Sequence, residues 1–503
     1  MIPIKNNTKQ RARGTHHYSY PCDSWTMETA PSSLPLKPIP GSYGLPFLGP
    51  IRDRHDYFYH QGRDKFFSTR IQQLNSTVFR TNMPPGPFIS SDPRVIVLLD
   101  AASFPILFDN RRVEKYNVLD GTFMPSTNFT GGYRVCAYLD TAEPKHALIK
   151  SFYLSFLAKR KDSFVPLFRN CLQEAFAGIE DQLCQNAKAD FNATFSYASF
   201  NFIFRLFCDD THPSNTNLAS KGPKLVDTWL LFQLAPLATL GLSKIFNYME
   251  DFLIRTLPFP ACLANSGYNK LYEAFKTHAT TVLDEAEKLG LERNEACHNV
   301  IFVTGFNAYG GLKNQFPIVL KWVGLCGEKL HADLAGEIRR VVSDEGGVTL
   351  SALEKMPLLK SVVYEVMRIE PAVPYQYARA REDLIVQSHD ASYRVKKGEM
   401  LFGYQPFATK DSRIFEDAEV FVARRFIGEG EKMLKHVLWS NGRETEEPSP
   451  SNKQCPGKNL VVLMCRLFLV EFFMRYDTFE FEFTQASFGP SITIKTLTKT
   501  SAF

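Results

Sequence analysis

Tryptophan is scarce in this chain, 4 among 503 residues, and 42 phenylalanines carry most of the aromatic bulk. Phe fills space without a polar tip, so such a load suits a large interior that can surround an apolar ligand. Neither sign of charge prevails. Lys plus Arg is 58 and Asp plus Glu is 53, leaving +5, too little over this length for a nucleic-acid footprint. The 10 cysteines show no Cys-x-x-Cys pair and no regular spacing, which argues against a zinc ribbon or a disulfide scaffold and favours a reducing compartment. No apolar run reaches the ~18 residues of a bilayer-spanning helix. The nearest approach, residues 229–242, is broken by Pro236. It reads as a buried helix or as a patch resting on a membrane or lipid-body surface. With 44% hydrophobic and 22% charged residues, the chain is neither disordered, collagen-like nor a coiled coil.

Residues 1–33 are basic and poorly patterned: Lys5, Lys9, Arg11 and Arg13 meet no acid until Asp23. They read as a disordered extension, an upstream start with Met27 as initiator, or an organelle-targeting segment. Cytoplasmic, peripheral and plastid locations all stay open. The folded domain is expected to span 34–503 as one mainly helical unit with a small β portion. A Pro/Gly-dense lead-in covers 35–50. Strand-like pieces fall at Val78–Asn82, 87–89, Leu384–Gln387, Ser392–Val395 and Met400–Tyr404, helices run through about 143–370, and an apolar helix covers about 458–474. Ser351-x-x-Glu354 has the form of a capping box, with Pro357 in the first turns and Pro371 at the end.

Three separated features point one way. Cys455, in KQCPG (453–457), stands just before an apolar helix. There the helix dipole and unpaired N–H groups stabilise a thiolate, a good axial ligand for haem iron. Glu365 and Arg368, at i and i+3, share a helix face, and the flanking KSVVYEVMRIEPAVP (360–374) is poor in solvent-face charge. Arg425, in FVARRF (421–426), can complete a Glu–Arg–Arg network, which makes a buried charge tolerable.

With these motifs in this order, the chain resembles the cytochrome P-450 superfamily, whose fold and haem b cofactor are then expected. Two departures stand out. WSNGRETEEPSPSNKQCPGK (439–458) carries an insertion of nine residues ahead of the cysteine, and Ala423-Arg424 replaces the usual Pro-Glu. The central helix, from about Glu292, holds GFNAYGG (305–311) and lacks the acid–alcohol pair that delivers protons to bound O2. NMPPGPF (82–88), FMPSTNFTGGYR (123–134), YLDTAEPKH (138–146) and GYQPFATKD (403–411) are similar to one plant branch, the fatty-acid hydroperoxide-metabolising enzymes. These are the allene oxide synthases, hydroperoxide lyases, divinyl ether synthases and epoxyalcohol synthases.

The resemblance implies a polyunsaturated fatty-acid hydroperoxide as substrate and homolysis of its O–O bond at a ferric haem held by Cys455. The alkoxyl radical then closes to an epoxyallylic radical, with no O2, NADPH or redox partner. Asn307 is implied to hydrogen-bond the hydroperoxide, and Lys115, His146, Lys150 and Lys453 to meet the haem propionates. Leu119, Ala308 and Pro374 are implied to line the substrate. In relatives the position of Leu119 is typically Phe in allene oxide synthases, and that of Ala308 is Ser or Thr in synthases and Ala in lyases. These positions, with YQYAR (375–379), lead to the expectation of a 9/13-hydroperoxide lyase yielding short-chain aldehydes and oxo acids. The alternatives are an allene oxide synthase (hydroperoxide dehydratase), a divinyl ether synthase or an epoxyalcohol synthase. More distant are a conventional monooxygenase and a non-catalytic haem protein coating lipid particles.

Overall fold

The apolar helix before the C-terminal strands sets the architecture. Lys458–Arg475 buries twelve of its eighteen residues on all sides, which requires other elements to surround it. A computed structural model describes residues 34–119, 121–486 and 489–500; the extension 1–33 lies outside the described residues. Around this helix pack Phe164–Asn186, Gly327–Asp344 and Pro357–Ile369. The rings of Phe195, Phe316 and Phe468 lie 5.1–5.8 Å from one another, in tilted or T-shaped pairs. Much of the Phe excess is therefore core packing.

The long central helix is composite. Glu292 caps it, its carboxylate accepting from the N–H groups of Asn294 and Glu295 at 2.8 and 2.9 Å. The α-helix Arg293–Phe302 passes into seven residues of π-helix, Val303–Tyr309, and resumes as Gly310–Leu325. An i→i+5 turn inside an α-helix is rare and frequent at functional sites.

Strands form a smaller region beside the helices. A five-stranded sheet runs in the order Val78–Asn82, Arg94–Leu98, Met400–Tyr404, Tyr375–Ala380, Val113–Glu114. The pair Arg94–Leu98 and Met400–Tyr404 is parallel and the others antiparallel. A three-stranded sheet joins Leu36–Lys37 to Ser392–Val395 and Leu384–Gln387. A hairpin, Tyr476–Ala486 with Gly489–Lys499, ends the described chain and takes Ala189–Asp190 as a third strand.

Two local expectations are corrected. Residues 87–89 are a turn: Ile89 and Ser90 donate to Gly86 O, and Pro87 has no N–H for a ladder. The cap near 351 is Thr349, whose hydroxyl accepts from Ala352 N at 3.0 Å. Ser351 instead donates to Glu345 at 3.1 Å. That short helix stops at Glu354, and Pro357 starts a second one in the position where its missing N–H costs nothing. Residues 229–242 divide: Trp229 is buried, with its indole N–H on Phe129 O at 2.9 Å, whereas Leu231, Leu240 and Leu242 are exposed. Among the described residues no helix is long and apolar enough to cross a membrane.

Candidate functional site

The Glu–Arg–Arg network forms. Arg368 grips Glu365 with two bonds of 2.7 Å, and the Nε of Arg425 lies 3.0 and 3.1 Å from the two oxygens of the same carboxylate. Val422 N adds a bond of 2.9 Å. Glu365 and Arg368 are fully buried. The remaining guanidinium N–H groups reach the carbonyls of Thr409, Glu416, Asp417, Ala418 and Val420. Every charge is paired, so the network is tolerated in the core, and it fixes residues 409–425 against the helix Pro357–Ile369. Arg424 points away, to Asp333 at 3.1 Å, so the Ala-Arg departure leaves the network intact.

From there the chain enters the cysteine loop, and the inserted residues brace it. Leu438–Trp439 pairs with Gly442–Arg443 as a tight hairpin. Its turn holds Asn441 at φ 64°, a conformation Asn tolerates. Asn452 ties the next turn, accepting from Ser449 N at 3.1 Å and donating to Glu447 O at 2.8 Å. Lys458 donates to Glu444 O at 2.6 Å. Cys455 follows, its N–H on Ser440 O at 3.1 Å, and the helix starts at Lys458. Burial pushes the Cys455 thiol up, opposed by the Gly457 N–H and the charge of Lys150. Desolvation is the larger effect, and the backbone N–H at the helix start acts against it, in the sense expected from the sequence.

The four expected propionate residues lie around this loop. His146 and Lys150 are one turn apart on Pro144–Arg160, both buried. Lys150 Nζ donates to Asn452 O at 3.1 Å and to Gln454 O. Lys453 Nζ reaches Cys136 O, Ala137 O and Leu139 O at 2.7–3.1 Å. Lys115 Nζ contacts Asn441 Oδ1. Burial and the like charge of Lys453 push Lys115 down to about 7, and burial pushes Lys453 down to about 8. Burial and these cations push His146 down to about 4, and its Nδ1 has no partner among the described residues.

These groups fit a haem. Among the described residues no three His, Cys, Asp or Glu side chains cluster to hold a bare ion. Cys455 offers one ligand, as suits a metal whose other ligands belong to a macrocycle. The three ammonium groups hydrogen-bond to neutral oxygens, with Asp140 acting on Lys115 and Lys453 without a direct bond. Buried cations in that state call for anions, and two propionates meet the demand.

The cysteine loop is joined to the central helix through Cys136, whose O accepts from Lys453 and whose N–H donates to Asn299 Oδ1 at 3.0 Å. Eight residues on, Asn307 sits in the π segment. It is exposed and makes no side-chain hydrogen bond among the described residues. Neither a core partner nor its own helix satisfies the amide among the described residues. The nearby hydroxyls are committed, Thr304 to Ile301 O at 3.1 Å and Tyr309 to Asp227 at 3.0 Å. Gly305 lets the helix Gly222–Leu234 close in, since a Cβ there would meet Val226 and Trp229 at 3.2 and 3.3 Å. Ala308 and Leu119 are half-buried against the main core. Pro374 opens the strand Tyr375–Ala380, its carbonyl taking Gln405 N at 2.7 Å. Leu119 and Pro374 make no hydrogen bond or ring contact with Asn307.

Sequence reasoning missed Asn441, Gln376 and Asn299, which knit the site together. Gln376 Oε1 accepts from Asn441 N at 3.2 Å, so the strand, the hairpin turn and Lys115 are one unit. Asn441-Gly442 is a turn signal in the sequence, although the register makes Ser440 and Asn441 the turn residues; Gln376 and Asn299 carried none.

The cytochrome P450 family model matches residues 329–499. Allene oxide synthase 2 of Oryza sativa subsp. japonica is 54% identical over 472 residues, 93% of this chain and 97% of that protein. "Allene oxide synthase 1, chloroplastic" of Solanum lycopersicum is 52% identical over 491 residues, 96% of this chain and 91% of that protein. The 9-divinyl ether synthase of Capsicum annuum is 50% identical over 471 residues, 93% of this chain and 98% of that protein. Identity of this order along nearly the whole length leaves one assignment: the chain belongs to the cytochrome P450 family, in the hydroperoxide-metabolising branch that holds the allene oxide and divinyl ether synthases.

Proposed function

We propose that this protein is an allene oxide synthase, a hydroperoxide dehydratase acting on 9- or 13-hydroperoxides of linoleic and linolenic acids without O2, NADPH or a reductase. As a cytochrome P450 it holds a haem iron through a thiolate; Cys455 is proposed as that ligand and haem b as the form. When bound, the group supplies homolysis of the peroxide bond. Lys115, Lys150, Lys453 and His146 are proposed to anchor its carboxylates. Asn307 carries the reading: an unbonded amide on a π turn, in a helix whose hydroxyls are committed elsewhere. It offers N–H and C=O to a hydroperoxide and has no acid beside it to drive O2 chemistry.

The lyase expected from Leu119 and Ala308 is not supported by the three relatives described above, which are named as synthases. A divinyl ether synthase is the second reading. Leu119 favours it, since no aromatic ring stands there to face an electron-poor intermediate. The relative named chloroplastic supports a plastid location, which expression of a fluorescent fusion would test.

The deciding experiment mixes the purified haem protein aerobically with each hydroperoxide, without NADPH, and identifies products by mass spectrometry. Ketols from a hydrolysed allene oxide are expected. Divinyl ethers would select the second reading, and short-chain aldehydes with oxo acids would restore the lyase. No consumption of any hydroperoxide would refute the catalytic proposal.

A further inference from the structure

A cavity of about 170 Å³ opens at the base of the hairpin whose turn carries Asn441. Ala101, Phe104, Pro105 and Leu438 give it apolar walls, and Lys435, His436 and Arg443 supply the polar part of its lining. Lys435 is exposed and Arg443 half-buried. Among the described residues neither side chain has a hydrogen bond or an ion pair. His436 makes no hydrogen bond either, and its ring stands edge-on to Phe415 with centroids 6.1 Å apart. The neighbouring acids are committed elsewhere. Asp411 accepts from Ala101 N at 2.9 Å and lies 2.6 Å from His389 Nε2. Asp100 takes Ala102 N and Ser103 N at 3.0 and 2.7 Å, and Glu446 takes the backbone N–H of Arg443 at 3.0 Å. Burial, then the charges of Lys435 and Arg443, push His436 down to about 4, so at neutral pH its ring keeps a single N–H donor.

We infer that this cavity binds a small organic oxyanion, the carboxylate or phosphate ester of a ring-sized body, and that binding steadies the cysteine loop. A concave site lined by one sign of charge concentrates the opposite ion. Arg443 offers a planar fork to two oxygens and Lys435 a point charge. Apolar walls with a few converging polar groups are the usual make-up of a small-molecule pocket, and a cavity of roughly 150 Å³ holds one benzene ring. The body then packs on Phe104 and Pro105 while its oxyanion meets the cations. Leu438 and Arg443 are paired residues of the hairpin. The same hairpin is tied to the cysteine loop: Ser440 O takes Cys455 N at 3.1 Å, and Arg443 O takes the Gln454 amide at 2.6 Å. A ligand held between Arg443 and residues 101–105 joins that hairpin to a segment more than three hundred residues away. Binding only to the assembled hairpin, it stabilises that arrangement by mass action.

The test is calorimetric titration of the full-length haem protein with benzoate, phenyl phosphate, inorganic phosphate and benzyl alcohol. Benzoate or phenyl phosphate is expected to saturate one site, about tenfold or more tightly than inorganic phosphate, which lacks the body, or benzyl alcohol, which lacks the charge. The tighter of the two identifies a carboxylate or a phosphate ester as the natural class. The double variant Lys435→Gln/Arg443→Gln should bind about tenfold or more weakly. Ala101→Leu, which fills the apolar wall and leaves the cations in place, should bind as weakly. Both should keep the haem spectrum. At saturation the ligand should slow haem loss to an acceptor protein in the wild type and leave it unchanged in the variants. Absence of saturable binding, inorganic phosphate binding as tightly as phenyl phosphate, or affinity that survives both variants would overturn the site. Haem loss unaffected by a bound ligand would overturn its coupling to the cysteine loop.

Discussion

Asn307 is the residue on which the proposed function turns. It lies exposed on the π segment, with no side-chain hydrogen bond among the described residues. Asn307→Ala is expected to lower kcat for hydroperoxide consumption about 100-fold or more, the usual scale for removing one aimed donor. Haem content, read from the absorption spectrum, should stay unchanged. His298 acts at the same scale on stability. Its ring lies between those of Tyr133 and Tyr272, with Nδ1 2.6 Å from the Tyr268 hydroxyl. Burial pushes it down to about 4. As pH falls from about 6.5 toward 4, the unfolded chain takes up a proton that the folded chain refuses, so this residue removes stability across that window. His298→Phe should flatten the acid limb of stability against pH by about one proton, measured by urea denaturation across the range.

Elements are held to one another by a few polar junctions, and these are where substitutions should spread. Glu365→Gln leaves Arg368 and Arg425 without their anion and is expected to cost about 3–5 kcal/mol in denaturant unfolding. Gly442→Ala would place a Cβ 2.6 Å from Gln454 Cδ, and Gln454 is buried with its amide on Arg443 O at 2.6 Å. The cysteine loop must then shift, at about 1–3 kcal/mol, read as faster haem loss to an acceptor protein. How much of this could be read from the sequence follows the range of the interactions. The helix Lys458–Arg475, four of the strands and the Glu–Arg–Arg order were legible because period and motif are local. The π segment was not, since VTGFNAY reads the same with either turn. The helix Asn247–Arg255, which buries Glu250, Asp251 and Arg255 and exposes Tyr248, Met249, Phe252 and Leu253, was not legible either. Residues 248, 249, 252 and 253 have the spacing of an ordinary core stripe, and only Arg54, His55 and Tyr59, nearly two hundred residues away, decide which side faces in.

The whole molecule is closed by its lead-in. Leu36 and Lys37 pair with Ser392 and Tyr393, and Gly41 bridges to Arg80, so the first described residues clamp two sheets far apart in the chain. A protein starting at residue 43 is expected to melt measurably lower than one starting at residue 34, as scanning calorimetry of the two haem proteins would show. The cations around the cysteine loop, Lys115, Lys150 and Lys453, work at this scale too, because they come from three separate parts of the chain. Lys453 repels Lys115, and Asp140 offsets part of that repulsion. If the three lysines anchor the haem carboxylates as proposed, a porphyrin with esterified side chains brings the same ring and the same iron but no counter-ions, and is expected to bind the apoprotein more weakly than haem in an absorbance titration.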